Sequence, residues 1–297
     1  HVVFTLPRIL SQLALQNKDA IYSLLLGASA KTLLTVARDS RHLGAKIGFL
    51  SILHTWNQRL QEHAHVHTVV PAGGLSLDHS RWIDAPSKNF FLPKQVLAEV
   101  FRGKFIDGLN KAFAAGELSF YGCFAPLHQP RNFKAFVRTL YCHKWVVEVR
   151  PPFRGAGRTL EYLSRYTHRV AISNQRLVSF EQGQVTFRWR DSAHGNQQRL
   201  LTLALYEFLR RFLLHVLPSG FHCIRYFGFL TNSQRGHLLP LCRRLIARGH
   251  PSRTISYSED EPARNGWCCP RCGGPMRLAQ RFSAAELRIH SPPCLAA

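Results

Sequence analysis

The chain has 297 residues, 45% of them hydrophobic, enough to bury a sizeable core and to exclude wholesale disorder. Its 39 lysines and arginines outnumber 17 aspartates and glutamates, leaving a formal charge of +22. A folded, aromatic-containing chain with such a field suits a polyanionic partner, nucleic acid ahead of an acidic membrane surface.

No run of about 18 apolar residues and no signal-peptide layout occurs, so a cytosolic chain is expected. In that compartment the eight cysteines read as mostly reduced thiols, with Cys123, Cys142, Cys223 and Cys242 scattered singly. The chain opens inside an apolar stretch, His1 to Pro7, and its one methionine is Met276, as expected of a fragment lacking its natural start.

After a short β-like opening, residues 8–42 carry helical spacing of Leu, Ile and Ala, with a break expected near Gly27 and an end near Gly44. Residues 46–54 are apolar on both faces, as in a central strand. A second strand is expected at about 64–70, ended by Pro71-Ala72-Gly73-Gly74. Helices are expected over 94–115 and 128–141. From Lys144 to Arg150 the residues alternate, with Trp145, Val147 and Val149 on one side, and Pro151-Pro152 closes the strand. A helix over about 158–168 follows, then a hairpin over 177–190 turning at Gln182-Gly183. Residues 201–216 read as a strong amphipathic helix and 236–248 as a weaker one. Strands interleaved irregularly with helices predict an α+β fold with a mainly antiparallel sheet. The expected organisation is a core over 1–250, a linker over 251–265 and a small cysteine-bearing tail over 266–297.

The first chemical signal is His63-Ala64-His65-Val66-His67. On a strand His65 and His67 share a face while Val66, Thr68 and Val70 take the other. Two imidazoles whose Cα atoms are about 6.6 Å apart can lean onto one divalent ion. Candidates for a third ligand are His54, Glu62 and Glu161; His63, about 13 Å from His67 along the strand, is better placed to flank the site. With 16 histidines in the chain about one His-x-His arises by chance, so the motif gains weight only beside a second one.

That second motif is Glu161-Tyr162-Leu163-Ser164-Arg165-Tyr166-Thr167-His168-Arg169. Tyrosines four apart on a helix share a face. A phenol is a weak nucleophile at neutral pH, and a metal gripping a phosphate helps it by stabilising charge at phosphorus. Tyr162 and Tyr166 would allow two successive strand transfers, with Arg165 and Arg169 on the phosphate backbone.

Taken together, these residues resemble the two-tyrosine rolling-circle transposases of the IS-ninety-one type, within the HUH superfamily. The likeness runs through His1-Val-Val-Phe-Thr-Leu-Pro7, Leu53-His-Thr-Trp56, His63 to His67, Gly73-Gly-Leu-Ser76, Tyr162 to Asn174, Glu207 to His215 and Gly220 to Leu230. It implies an HUH-type antiparallel sheet flanked by helices, with His65 and His67 holding Mg²⁺ or Mn²⁺. It also implies Tyr162 and Tyr166 as nucleophiles that form 5′-phosphotyrosine bonds, and single-stranded DNA at mobile-element ends as substrate. The setting implied is the bacterial cytoplasm, at the nucleoid. The family's N-terminal cysteine-rich, zinc-binding region has no counterpart in these residues. Alternatives are a catalytically inactive DNA-binding transposase remnant, and a replication initiator or relaxase using the same chemistry.

Two secondary signals remain. Phe221 to Phe229 interleaves aromatics with Arg225, a candidate DNA contact, though most of the rings fit a core. In the tail Cys269 and Cys272 form a Cys-x-x-Cys knuckle, and with His290 and Cys294 they make a candidate Zn²⁺ site.

Overall fold

The computed structural model describes residues 1–86, 91–151, 153, 157, 159, 171–191 and 194–249. The chain divides into two units, His1–Gly249 and His250–Ala297, and the described residues lie in the first.

Its centre is a five-stranded antiparallel sheet made of β1 (Val2–Thr5), β3 (Gly48–Trp56), β4 (Glu62–Val69), β7 (Val146–Val149) and β11 (Ile224–Gly228). The spatial order is β11-β3-β4-β1-β7. The fold class is therefore α+β with antiparallel sheets, as the sequence predicts. β3 is buried along almost its whole length, which explains why both of its faces are apolar.

One face of this sheet carries the core. Phe4, Phe49, Leu53, Ala64 and Val66 meet Leu25, Leu26 and Leu33 of α2 (Lys18–Arg38) and Phe101 and Phe105 of α3 (Lys94–Ala114). Phe101 is fully buried between Phe4, Phe105 and Trp145, with ring centroids 5.0, 6.2 and 5.2 Å away. Gly108 lets α3 approach α2 closely, since a methyl group there would strike Leu24. α2 is long and apolar enough to cross a membrane, with a mean hydropathy of 1.5 over 18 residues. Its Ile21, Tyr22, Leu25, Leu26 and Leu33 are spent in this core.

The expected break at Gly27 is absent: α2 passes through it, and the break falls at Asn17, after α1 (Ser11–Gln16). A mid-helix glycine costs only about 1 kcal/mol. Asn17 instead diverts its amide to the Leu13 and Ser119 carbonyls, at 3.1 and 2.8 Å, and accepts from the Ser119 N–H at 2.7 Å.

Two smaller sheets flank the centre. One joins β2 (Ala45–Lys46), β5 (Gly73–Ser76) and β6 (Trp82–Asp84) in the order β2-β5-β6. The other is β10-β9-β8, from β8 (Leu177–Glu181), β9 (Gln184–Asp191) and β10 (Gln197–Ala204). The β8–β9 hairpin turns at Gln182 and Gly183, both at positive φ, as a two-residue turn requires. The helix expected over 201–216 is half strand. β10 pairs with β9 through Ala204, and α5 starts only at Leu205 and ends at Leu213. Leu201 and Leu203 oppose Phe187 and Val185, so the strand register captures residues whose spacing also fits a helix. Helices α4 (Pro130–Cys142) and α6 (Asn232–Gly249) complete the described elements.

Candidate metal centre

The histidines lie on the sheet face opposite the core. Alternation along β4 sends Ala64, Val66 and Thr68 into the core, so His63, His65 and His67 share the other pleat. β3 pairs with β4 so that His54 faces His65 and Ile52 faces His67. β1 contributes Val3 opposite His67 and Thr5 opposite His65.

Three imidazoles converge here. His54, His65 and His67 each offer a ligand nitrogen, and these nitrogens all lie within 4.8 Å of one another. The ring centroids are 5.6 Å apart for His54–His65, 4.8 Å for His54–His67 and 4.7 Å for His65–His67. His54 and His67 are buried and His65 is half-buried. Burial, ahead of the nearby His54 and His63 rings, lowers the pKa of His65 to about 3. Its ring is therefore neutral at physiological pH, the state a metal requires.

The hydrogen bonds fix orientation. The Nδ1–H of His65 donates to the His63 carbonyl at 2.7 Å, which leaves Nε2 as the ligating atom. Trp56 stacks on His54, with centroids 4.9 Å apart and planes at 17°. The loop over residues 57–61 is pinned by Asn57, whose Oδ1 accepts from the Arg59 and Gln61 N–H groups at 2.9 and 3.0 Å. This all-nitrogen donor set fits a transition-series divalent ion and could hold one.

Of the candidate third ligands, His54 joins His65 and His67. Glu62 does not; it lies on the core side, where Tyr22, Ser11 and Arg8 are its neighbours. Both of its carboxylate oxygens are buried without a hydrogen bond of normal geometry. Burial raises its pKa and outweighs Ser11, the Ala64 amide and Arg8, which favour the anion. His63 shares the histidine face, its ring 5.1 Å from that of His65, but falls outside the group of three.

Arg225 is turned from the histidines. It pairs with Ser51 in the β11–β3 ladder, its guanidinium donates to the Ser23 hydroxyl at 3.1 Å, and it sits 5.3 Å over the Phe221 ring. Phe221, Phe227 and Phe229 pack into the hydrophobic clusters. Tyr226, opposite Leu50, shares the histidine pleat and is 49% exposed, so its ring is open to a base. Tyr162, Tyr166, Glu161, Arg165, Arg169 and the tail residues Cys269, Cys272, His290 and Cys294 lie outside the described residues. Sequence reasoning passed over Trp56 and His1 as neighbours of the triad. Their signal, an i+2 offset from His54 and a place two residues before Val3, becomes readable only with the strand register.

Residues 48–237 match a family described as "Putative transposase". The chain belongs to this transposase family. A "Putative transposase y4qJ" of Sinorhizobium fredii is 47% identical over 280 residues, which cover 92% of this chain and 70% of that protein. The "Transposase for insertion sequence element IS801" of Pseudomonas savastanoi pv. phaseolicola is 29% identical over 258 residues, 86% of this chain and 59% of that protein. No solved structure matches. The family places the chain among proteins that cut and transfer DNA, in keeping with its +22 charge.

Proposed function

We propose that the chain is the catalytic part of a rolling-circle transposase of the HUH type, which nicks and rejoins single-stranded DNA at mobile-element ends. The observation that carries this reading is the convergence of His54, His65 and His67 on one point of an antiparallel sheet. By resemblance the triad would hold Mg²⁺ or Mn²⁺, of which Mn²⁺ suits the all-nitrogen donors better; when bound, the ion would supply Lewis-acid stabilisation of charge on a phosphate oxygen.

The three imidazoles would hold and orient the ion, and the neutral His65 ring adds no charge of its own beside it. Tyr162 and Tyr166, by resemblance, are the nucleophiles. The phenolic oxygen attacks phosphorus, the P–O3′ bond breaks, and the departing oxygen takes a proton to become a free 3′ hydroxyl. The phenol's own proton passes to solvent or a neighbouring base. Rejoining reverses these events: a 3′ hydroxyl attacks the 5′-phosphotyrosine bond and the phenol is released. One phosphodiester is exchanged for another, so no ATP is needed. Arg165 and Arg169 steady the backbone, and Tyr226 is placed to stack on an unpaired base. The work is assigned to the bacterial nucleoid. The zinc assigned to Cys269, Cys272, His290 and Cys294 is a separate, structural proposal.

The test is a denaturation-resistant adduct between the protein and a single-stranded oligonucleotide from the element's end, formed with Mn²⁺. Tyr162→Phe combined with Tyr166→Phe abolishes it. An adduct that survives in the double variant overturns the nucleophile assignment.

A further inference from the structure

The segment His1 to Pro7 supplies the sheet with β1, and its first residue does more than extend a strand. The His1 carbonyl accepts from the Arg150 N–H at 2.8 Å, which continues the β1–β7 ladder and fixes the residue's backbone. Its side chain lies on the histidine face, two residues before Val3, the partner of His67. His1 Nε2 is 2.9 Å from His67 Nδ1, and both rings are buried, at 8% and 7% exposure. The two planes differ by only 6°, so the bond lies within both rings.

We infer that His1 is a positioning residue that sets the tautomer and aim of His67. The inference rests on the proposal that the triad holds a divalent ion. A neutral imidazole has one N–H and one lone pair. With Nδ1 engaged by His1, ligation by His67 runs through Nε2, and Nε2 must then carry the lone pair. The proton of His67 accordingly sits on Nδ1 and is donated to His1, whose Nε2 accepts it. His1 is thus neutral, with its own proton on Nδ1. The opposite arrangement, with His1 donating, puts a proton on the His67 nitrogen that faces the ion. His1 therefore does for His67 what the His63 carbonyl does for His65. His1 is not in the group of three.

The test is Mn²⁺ affinity measured by calorimetry on the whole chain. Wild type binds one Mn²⁺, and His54→Ala and His67→Ala lose it; if wild type binds none, the metal proposal fails first and His1 is not at issue. With wild-type binding in place, His1→Leu weakens affinity by about 10- to 100-fold, the usual cost of losing an outer-shell partner. His1→Gln offers a carbonyl acceptor at similar reach and restores most of that loss. Equal affinity in wild type and His1→Leu, or no rescue by His1→Gln, overturns the inference. Should His1→Leu fail to fold, nitrogen-15 spectra of the wild-type imidazoles under saturating Zn²⁺, a diamagnetic ion suited to nitrogen donors, decide instead. A proton on His67 Nδ1 is the expected result, and a proton on Nε2 overturns it.

Discussion

His54 and His65 stand directly opposite each other in the β3–β4 ladder, so an imidazole from each strand meets the other without any loop rearrangement. His54→Ala is therefore expected to weaken Mn²⁺ binding by at least the roughly 10- to 100-fold typical of outer-shell losses. Trp56 offers an optical check, because it stacks on His54 and paramagnetic Mn²⁺ should quench its emission. Undiminished affinity in His54→Ala would remove His54 from the site.

Chelation should separate chemistry from binding. With excess EDTA the covalent adduct disappears, whereas retention of single-stranded DNA persists, because the +22 charge and not the ion supplies most of the attraction. That retention should fall steeply with salt, with a slope of about −0.7 per phosphate contacted. A gel-shift series at increasing salt, with and without EDTA, measures both. Binding lost together with the metal would contradict the separation.

Glu62 makes stability depend on pH. Its carboxyl ionises at a higher pH in the fold than its ordinary value of 4.5, so the native chain keeps a proton that the unfolded chain has released. Its contribution is fully present below 4.5 and is lost as pH rises through the raised value. Glu62→Gln removes the buried charge and keeps the shape, so Tm should rise relative to wild type at pH 8 and converge with it at pH 4. Thermal melts at the two pH values decide, and a Tm lowered at pH 8 would show that the carboxylate is stabilising.

Gly228 ends β11 at φ +60, and a Cβ there would run into the Ile47 carbonyl oxygen. Gly228→Ala should cost about 1–3 kcal/mol for the backbone conformation alone. The collision would add to that and loosen the β11 edge against β3. Urea denaturation measures the loss, and an unchanged midpoint would mean the turn relaxes freely.

Much of this layout is legible from residue spacing. The doubly apolar run before His54, the alternation around Val66 and the Gln182-Gly183 turn each predict their element, because a single local rule governs them. Where two rules compete the reading slips. Leu201 and Leu203 satisfy both periods, and only pairing with Phe187 and Val185 decides for a strand. Asn17 outcompetes Gly27 as a helix breaker because its partner, Ser119, lies 102 residues away. The site follows the same pattern. His65 and His67 declare themselves through their i+2 spacing, but choosing His54 over Glu62 needs the β3–β4 register, and His1 needs that of β1. Arg225, a DNA-contact candidate in sequence, braces β11 on α2 through Ser23.

His54, His65 and His67 sit within residues 54–67, on one hairpin whose loop is tied by Asn57. Closing so short a segment costs little chain entropy, and hairpins of this kind zip in microseconds. An ion bound there would be gripped by neighbours along the chain, on a single hairpin. Amide exchange along β3 and β4 should slow together when the ion is added, and the ion should escape when that one hairpin frays, well before the molecule as a whole opens.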